Sequence, residues 1–251
     1  MYTESKSRSF LKALSWRFWA TLTTTSLVFL FIGELEVALS IGVIEVVLKM
    51  LIYFLHERTW DKIKFGRREI KPCVVWITGL SRSGKSTIAE KVTEELKTKG
   101  LKAEHLDGRN IRHLFPETGF TKKEVNEHIK RVGFLAKKLE EQNVFVVASF
   151  LSPYKESREF VRELVDNFVE VYISTPVDVC AKRDTSGIFE AAKKGKVQNF
   201  PGININYEVS DNPELTIDTT DISTEAASSI ILKEINKIIN NSNGAFRSLK
   251  K

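Results

Sequence analysis

The segment that most constrains the fold of this chain is a short glycine-rich motif between an apolar run and an amphipathic stretch. It reads Gly79-Leu80-Ser81-Arg82-Ser83-Gly84-Lys85-Ser86-Thr87 and fits the pattern G-x-x-x-x-G-K-[ST]. A strand-like run, 73–78, precedes it, and a helical stretch, 84–99, follows it. In this setting backbone amides surround phosphate oxygens at a helix N-terminus, Lys85 reaches the β- and γ-phosphates, and Ser86 offers its hydroxyl to Mg²⁺. The motif therefore predicts a P-loop, and hence a nucleotide-binding site.

Short apolar strands alternate with charged helical stretches from residue 72 onward. Strands are predicted at 73–78, in a segment ending at Leu106, and at 144–150, 168–173 and 215–218. Helices are predicted at 84–99, 122–142, 156–167 and 224–239. This alternation predicts an α/β fold, a five-stranded parallel sheet covered by helices on both faces. The predicted domain covers 72–240, and 241–251 are expected to form a flexible tail.

Two apolar stretches near the start of the chain predict a transmembrane helical hairpin within residues 1–71. They cover 14–32 and 37–55, 19 residues each, which corresponds to roughly 28 Å of helix, close to the thickness of a bilayer core. Glu45 and Lys49 are four residues apart and can neutralise each other, and Arg17 can extend toward headgroups or join that pair across the hairpin. A cleaved signal peptide and a peripheral amphipathic pair are the alternatives.

The distribution of charge predicts the orientation of this hairpin. Residues 1–71 carry 11 Lys and Arg against 7 Asp and Glu, a net charge of +4, and residues 72–251 add only +2. Basic residues flank both spans, whereas Glu34 and Glu36 lie in the connection. The positive-inside rule then places both termini and the 72–240 domain in the cytoplasm. Because the positive charge lies mostly beside apolar segments, contact with a lipid bilayer is expected and nucleic-acid binding is not.

Three features of the 72–240 domain favour a kinase with a small acceptor over a motor or a switch protein. The domain has only about 170 residues, and no N-K-x-D guanine signature occurs. A basic segment, 182–196, lies where a closing lid would bring positive charge to transferring phosphates. The alternative for this charge run is a solvated helix face.

Six further motifs follow the P-loop in order. They are Leu106-Asp-Gly-x-Asn-x-Arg112, Gly119-Phe120, Phe150-x-Ser-Pro-Tyr154, Val179-Cys-x-x-Arg-Asp184, Asn199-Phe-x-Gly-Ile203 and Asn212-Pro-Glu-Leu215. With the P-loop, they resemble the adenylylsulfate (APS) kinase family over about residues 72–220. The resemblance implies a P-loop nucleoside-kinase fold and transfer of the ATP γ-phosphoryl group to the 3′-hydroxyl of adenosine 5′-phosphosulfate (APS), which gives PAPS. Residues 8–68 resemble a two-helix membrane family of unknown function.

The resemblance also implies roles for individual residues. Lys85 and Ser86 would hold ATP and Mg²⁺, and Asp107 would lie beside the metal as the candidate base for the acceptor hydroxyl. Arg183 would screen charge in the transition state. The acceptor would be bound by Arg109, Asn110, Arg112, Phe120, Ser152 and Phe200, with the two phenylalanine rings stacked on its adenine; core or lid packing is the alternative for these rings. The resemblance leaves open whether the chain forms a homodimer.

Four residues depart from the family pattern. Arg109 replaces an acid, Val125 and His128 stand where the family has an acceptor-binding Arg and Asn, and Glu190 replaces a Lys. Each charge-assisted hydrogen bond contributes about 1.5–3 kcal/mol, so these changes predict weakened APS binding. Three hypotheses remain: a membrane-tethered APS kinase, a kinase of the same fold for another nucleotide or a glycan-pathway acceptor, and a non-catalytic nucleotide-binding regulator.

Overall fold

The chain divides into two compact units, Met1–Ile70 and Lys71–Lys251. The structure is a computed structural model, and it describes residues 2–4, 6–30, 35–63, 67–115 and 118–248. The boundary between the units coincides with the change in composition that separates the apolar segment from the α/β segment.

The first unit is a pair of long helices, α1 (Lys6–Leu30) and α2 (Leu35–Lys62), with a short antiparallel strand pair, β1 (Tyr2–Glu4) and β2 (Arg67–Glu69). Residues 14–30 of the first apolar stretch and all of the second therefore lie in helices that extend beyond the predicted spans at their outer ends. Residues 31–34, which include the end of the first predicted span and part of the connection, lie outside the described residues. So do the side chains of Arg17 and Glu45.

Polar contacts join the start of α1 to the end of α2. The Arg8 guanidinium is buried, and it donates to the carbonyl oxygens of Trp60 and Ile63, each at 2.6 Å. One turn further along α1, Lys12 forms a salt bridge with Glu57 at 3.1 Å. These contacts pair the first turns of α1 with the last turns of α2, so the two helices run antiparallel.

Large apolar side chains of both helices are exposed on the outside of this pair. The exposed fraction reaches 67% for Phe10 and 69% for Met50, and the set includes Phe10, Leu14, Phe18, Trp19, Met50, Leu51, Tyr53, Phe54 and Leu55. Within the described residues, no helix combines the length and the apolar character needed to cross a bilayer. The predicted transmembrane hairpin is therefore not confirmed.

The second unit is built on a five-stranded parallel sheet, which confirms the predicted α/β class. Its strands are β3 (Val74–Gly79), β4 (Ala103–Asp107), β5 (Phe145–Ser149), β6 (Phe168–Ile173) and β7 (Leu215–Ile217), in the order β4-β5-β3-β6-β7. β3 is buried along its whole length, as expected for a central strand covered on both faces. Because all strands are parallel, their carboxyl ends meet at one edge, where ligands of such sheets bind.

Seven helices surround this sheet within the described residues. They are α3 (Lys85–Thr98), α4 (Gly108–His113), α5 (Lys122–Glu141), α6 (Lys155–Leu164), α7 (Val177–Lys182), α8 (Ile188–Lys193) and α9 (Thr224–Ser248). Residues of α5 and α6 pack with Val74 and Trp76 in one core cluster, and α3 packs against α9. Val75 and Ile77 alternate with that cluster along β3 and are also fully buried, so both faces of the sheet are covered.

The end of the chain differs from its prediction. A helix was predicted to end near residue 239 and a flexible tail to follow, but α9 continues to Ser248, and 249–251 lie outside the described residues. Extending a helix that has already formed adds one hydrogen bond for each further residue, which allows the polar run Asn240–Asn243 to continue the helix. The predicted helix end is thus too early, and the flexibility of 241–251 stays a prediction.

The contact between α5 and α6 requires a glycine. A Cβ atom on Gly133 would lie 2.5 Å from Cγ2 of Val161, which is fully buried. We expect Gly133→Ala to lower the free energy of unfolding by about 1–3 kcal/mol, because the added methyl group overpacks this contact. Hydrogen exchange of the β3 amides would measure the loss, and Gly133→Ala combined with Val161→Ala should show less than the sum of the two single effects. Unchanged exchange in Gly133→Ala would contradict this packing.

Candidate active site

The P-loop connects the carboxyl end of β3 to the N-terminus of α3. Gly79 has φ 145°, and a Cβ atom there would lie 2.5 Å from the backbone oxygen of Ile173 in β6, so only glycine fits. Gly84 caps α3 with φ 93° and brings no side-chain hydrogen bond to the helix. The first amides of α3 consequently have no side-chain cap, which is the arrangement that binds phosphate.

Lys85 points back across this loop. Its ammonium group donates to the carbonyl oxygen of Leu80 and lies 3.5 Å from the Ser83 hydroxyl. Burial lowers the pKa of Lys85 to about 8. A negatively charged phosphate beside this ammonium group would favour its protonated form and raise the pKa again.

We therefore expect nucleotide binding to be accompanied by proton uptake at Lys85. Near pH 8 the free protein has this group about half protonated, whereas the complex should hold it protonated. Calorimetric titration with AMPPNP in two buffers of different ionisation enthalpy would measure the uptake, which should disappear in Lys85→Met. Equal uptake in the wild type and Lys85→Met would contradict the assignment.

Ser86 and Asp107 meet at the next strand end. The Ser86 hydroxyl donates to Oδ2 of Asp107 at 2.7 Å, and the backbone amides of Arg109 and Asn110 donate to Oδ1 at 2.9 and 3.3 Å. Asp107 is thus the N-cap of α4. Burial raises the pKa of this carboxyl group, but the hydrogen bonds from Ser86 and the two amides outweigh it, and the net pKa lies below its usual value. Asp107 is therefore ionised at neutral pH.

Arg109 lies at the rim of this group. Its Nε atom is 3.7 Å from Oδ1 of Asp107, and 77% of its side chain is exposed. Arg109, which replaces an acid of the family pattern, thus forms a salt bridge with Asp107, the candidate base.

Two of the predicted acceptor-binding residues stack on each other. The Arg112 guanidinium lies 4.5 Å from the centre of the Phe120 ring and donates to the carbonyl oxygen of Thr118 at 3.1 Å. Phe120 itself is 61% exposed. Asn110, which is also predicted to bind the acceptor, is exposed in α4, two residues before Arg112.

Phe200 has a different environment from Phe120. It is buried, packs edge-on against Phe189 at 5.0 Å between ring centres, and belongs to a cluster with Cys180 and Ala192. Among the described residues, no ring contact joins Phe120 to Phe200. In this conformation the two predicted stacking rings are not brought together.

Ser152 points into the protein. It is buried, its hydroxyl accepts from the Trp76 indole at 3.1 Å, and it shares a hydrogen bond with Thr78 at 2.7 Å. Thr78 in turn shares a hydrogen bond with the Tyr207 hydroxyl at 2.6 Å. The side chain of Ser152 is thus engaged in a buried network beside the P-loop strand.

Arg183 is connected to the P-loop through Thr219. It donates to the Thr219 hydroxyl at 2.8 Å and to the Thr219 carbonyl oxygen at 2.6 Å, and that hydroxyl donates to the carbonyl oxygen of Ser83 at 3.0 Å. The guanidinium group is therefore held close to the phosphate-binding loop.

The three remaining departures from the family pattern have distinct environments. Val125 packs against the core cluster. His128 is buried, both of its ring nitrogens lack a hydrogen-bond partner, and burial, with Arg112 and Arg131 nearby, lowers its pKa to about 4. Glu190 lies on the exposed face of α8 within 4.0 Å of Lys193 and 3.8 Å of Lys194. His128 is thus a neutral side chain at neutral pH.

The sequence did not identify Arg158, which forms hydrogen bonds with Glu208 and Ser210, residues that follow the basic segment 182–196. Arg158 is buried, forms a salt bridge with Glu170 at 2.9 Å, and donates to the carbonyl oxygens of Ser152 and Glu208. Thr219 was missed as well, although its position two residues after β7, at the edge shared by all the strand ends, was a usable signal. No comparable signal in the sequence marks Arg158 or Tyr207.

Comparisons with known proteins identify two segments. Residues 71–218 match the adenylylsulfate kinase family, and residues 10–61 match a family of predicted membrane proteins, DUF2061. The adenylyl-sulfate kinase of Halothermothrix orenii is 40% identical over 167 residues, 66% of this chain and 90% of that protein. That of Thermodesulfovibrio yellowstonii is 46% identical over 165 residues, 64% of this chain and 82% of that protein.

A solved structure gives the same assignment for the second unit. The Mycobacterium tuberculosis APS kinase in complex with AMPPNP and APS is 31% identical, with a TM-score of 0.63, over 67% of this chain and 99% of that chain. The family match covers more than half of the sequence, and the P-loop lies in the position that the fold requires. The chain belongs to the adenylylsulfate kinase family, and it is an ATP-dependent kinase.

Proposed function

We propose that this protein transfers the γ-phosphoryl group of ATP to the 3′-hydroxyl of APS and so forms PAPS. The observation that carries the proposal is the convergence of Lys85, Ser86 and Asp107 at the carboxyl ends of β3 and β4, with 2.7 Å between the last two side chains. An ammonium group, a hydroxyl and an ionised carboxylate at one strand edge are the groups that phosphoryl transfer requires. The named relatives are adenylyl-sulfate kinases, which supports APS as the acceptor.

The phosphates of ATP would be held by the P-loop. The amides of 79–87 would surround them, Lys85 would place its charge on the β- and γ-phosphates, and Arg183, held by Thr219, would screen the charge that develops on the transferring group. Arginine and lysine charges placed before the reaction stabilise the transition state more than the ground state.

The residues present suit a magnesium ion bound together with ATP. Ser86 and Asp107 offer a hydroxyl and a carboxylate oxygen side by side, and Mg²⁺ prefers such hard oxygen ligands. Within the described residues no group of three or more His, Cys, Asp and Glu could hold a metal ion, so phosphates and water would supply the remaining ligands. When bound, the ion would neutralise charge on the transferring phosphates.

Asp107 would act on the acceptor. Its ionised carboxylate would take the proton of the 3′-hydroxyl as the oxygen bonds to the γ-phosphorus, the bond from that phosphorus to the β–γ bridging oxygen breaks, and ADP leaves. The amides of Arg109 and Asn110 fix the carboxylate in place.

The acceptor would be bound by the six residues that the family resemblance assigns to it: Arg109, Asn110, Arg112, Phe120, Ser152 and Phe200. Because Phe200 is buried against Phe189, stacking on both faces of the adenine would require the segment that carries Phe200 to move. The neutral His128 and the core position of Val125 support weakened binding of the phosphosulfate group.

A binding panel tests the choice of acceptor. Calorimetry on the full-length protein with AMPPNP and Mg²⁺ would compare APS with AMP, GMP and other nucleotides. We expect APS to bind more tightly than the other nucleotides. The triple variant His128→Asn, Val125→Arg and Glu190→Lys should bind APS more tightly than the wild type. Stronger binding of another nucleotide would favour the second hypothesis, a kinase for a different acceptor.

We also propose that the first unit attaches the kinase to a membrane as a two-span hairpin, with both termini in the cytoplasm. The exposed apolar side chains of α1 and α2, the polar contacts between the helices and the match to predicted membrane proteins support membrane attachment. The basic flanks support the orientation. The protein should remain in the membrane pellet after alkaline carbonate extraction; release into the supernatant would contradict an integral hairpin.

A further inference from the structure

A salt bridge connects the P-loop to the segment 184–205, which carries Phe189 and Phe200. The Nε atom of Arg82 lies 3.4 Å from Oδ1 of Asp184, and the Asp184 side chain is only 2% exposed. The same carboxylate accepts from the backbone amides of Ser186 at 2.9 Å and Phe189 at 3.0 Å. Asp184 therefore ties the start of α8 to the phosphate-binding loop.

The backbone at Arg82 is unfavourable for an arginine. Its φ is 63°, in the left-handed region that glycine adopts freely and other residues rarely do. Such a conformation persists where surrounding contacts hold it. The salt bridge to the buried Asp184 carboxylate is such a contact.

A second contact joins the same two segments. Leu80, the residue after Gly79, packs against the cluster of Phe189, Ala192 and Phe200. A Cβ atom on Gly202 would lie 3.0 Å from Cδ2 of Leu80, so the Leu80 side chain packs closely against the backbone at Gly202. The P-loop thus touches the segment 184–205 through one apolar and one charged side chain.

We propose that the salt bridge between Arg82 and Asp184 makes Arg82 a positioning residue, which transmits nucleotide binding at the P-loop to the segment 184–205. Phosphates that hold the loop amides fix the position of Arg82, and Asp184 passes this restraint to the Phe189 amide and hence to Phe200. This inference rests on the proposed function for the placement of Phe200 in the acceptor site. Because coupling between sites is reciprocal, the acceptor should strengthen nucleotide binding by the same factor.

Hydrogen exchange on the full-length protein tests the coupling without assuming an acceptor. Binding of AMPPNP with Mg²⁺ should slow exchange in α3 and also in 186–205. In Arg82→Gly the slowing in α3 should remain and the slowing in 186–205 should be lost, whereas Arg82→Lys should keep part of it. Asn143→Gly is the matched control, because Asn143 also has a positive φ, 60°, but lies in the turn after α5.

Kinetics give the second readout. Arg82→Gly should raise the KM for APS about five-fold, at the lower end of the usual coupling between two sites, and should lower kcat by a smaller factor than it raises KM. If AMPPNP still slows hydrogen exchange in 186–205 of Arg82→Gly, the inference is overturned. It is also overturned if this variant loses AMPPNP affinity about ten-fold while the coupling stays intact, because Arg82 would then be a phosphate ligand. Absence of AMPPNP protection in α3 of the wild type would instead overturn the nucleotide site of the proposed function.

Discussion

Lys85→Ala is expected to lower the rate of phosphoryl transfer by about 10²–10³, the usual loss when one preorganised charge is removed from a transition state. The alanine leaves the backbone amides of the P-loop in place, so nucleotide affinity should fall less than the rate. Removing a buried ammonium group whose pKa is lowered to about 8 by burial should not destabilise the fold. Single-turnover transfer measured beside AMPPNP binding separates the two effects.

The matched control for this variant is Lys91→Ala. Lys91 lies on the same helix, α3, and its ammonium group is 3.6 Å from Glu94 on the protein surface. Surface pairs of this kind contribute about 0–1 kcal/mol, so this variant should keep its rate within about two-fold. Normal turnover by Lys85→Ala would show that the P-loop assignment is wrong.

Asp107→Asn is expected to lower the rate of transfer by about 10²–10⁴, the range attributed to a general base. Asparagine is as good an N-cap as aspartate, so α4 and the hydrogen bonds from Arg109 and Asn110 should persist. The loss would therefore report on the missing charge and proton acceptor. The free energy of unfolding, measured with the rate, checks that the fold is unchanged.

The pH dependence of the wild type adds a check on Asp107. Its pKa is lowered in the folded protein, because the hydrogen bonds to the ionised form outweigh burial. Activity that needs the ionised carboxylate should therefore be retained down to the usual pKa of aspartate and fall only below it. A rate for Asp107→Asn within three-fold of the wild type would exclude Asp107 as the base.

The sheet could be predicted because its strands are apolar runs with clear ends. β3 and β6 match the predicted segments to within one residue at each end, and the P-loop follows β3 as its pattern requires. Strand order was not predicted, since it depends on pairings between distant segments such as Ala103 with Phe145. The end of α9 was missed because the asparagine-rich run after residue 239 signals a helix end only weakly.

The sequence could not predict which residues surround each side chain of the site. Ser152 takes its partners from β3, more than 70 residues earlier, and Phe200 packs on a ring from α8. His128 lies in the predicted helix, but its burial without hydrogen-bond partners depends on Phe115, Phe150 and Arg112 around it. The roles of these residues stay predictions until variants are measured.

Transfer of labelled γ-phosphate from ATP to APS by the full-length protein is the direct test of the proposed activity. The assay contains Mg²⁺ and APS in one series and a nucleotide panel in another, with the Halothermothrix orenii enzyme measured alongside. We expect labelled PAPS, with a KM for APS about ten-fold or more above that of the reference enzyme, because the lost contacts to the acceptor would each contribute about 1.5–3 kcal/mol. Transfer to another nucleotide with none to APS, or no transfer to any acceptor, would contradict it.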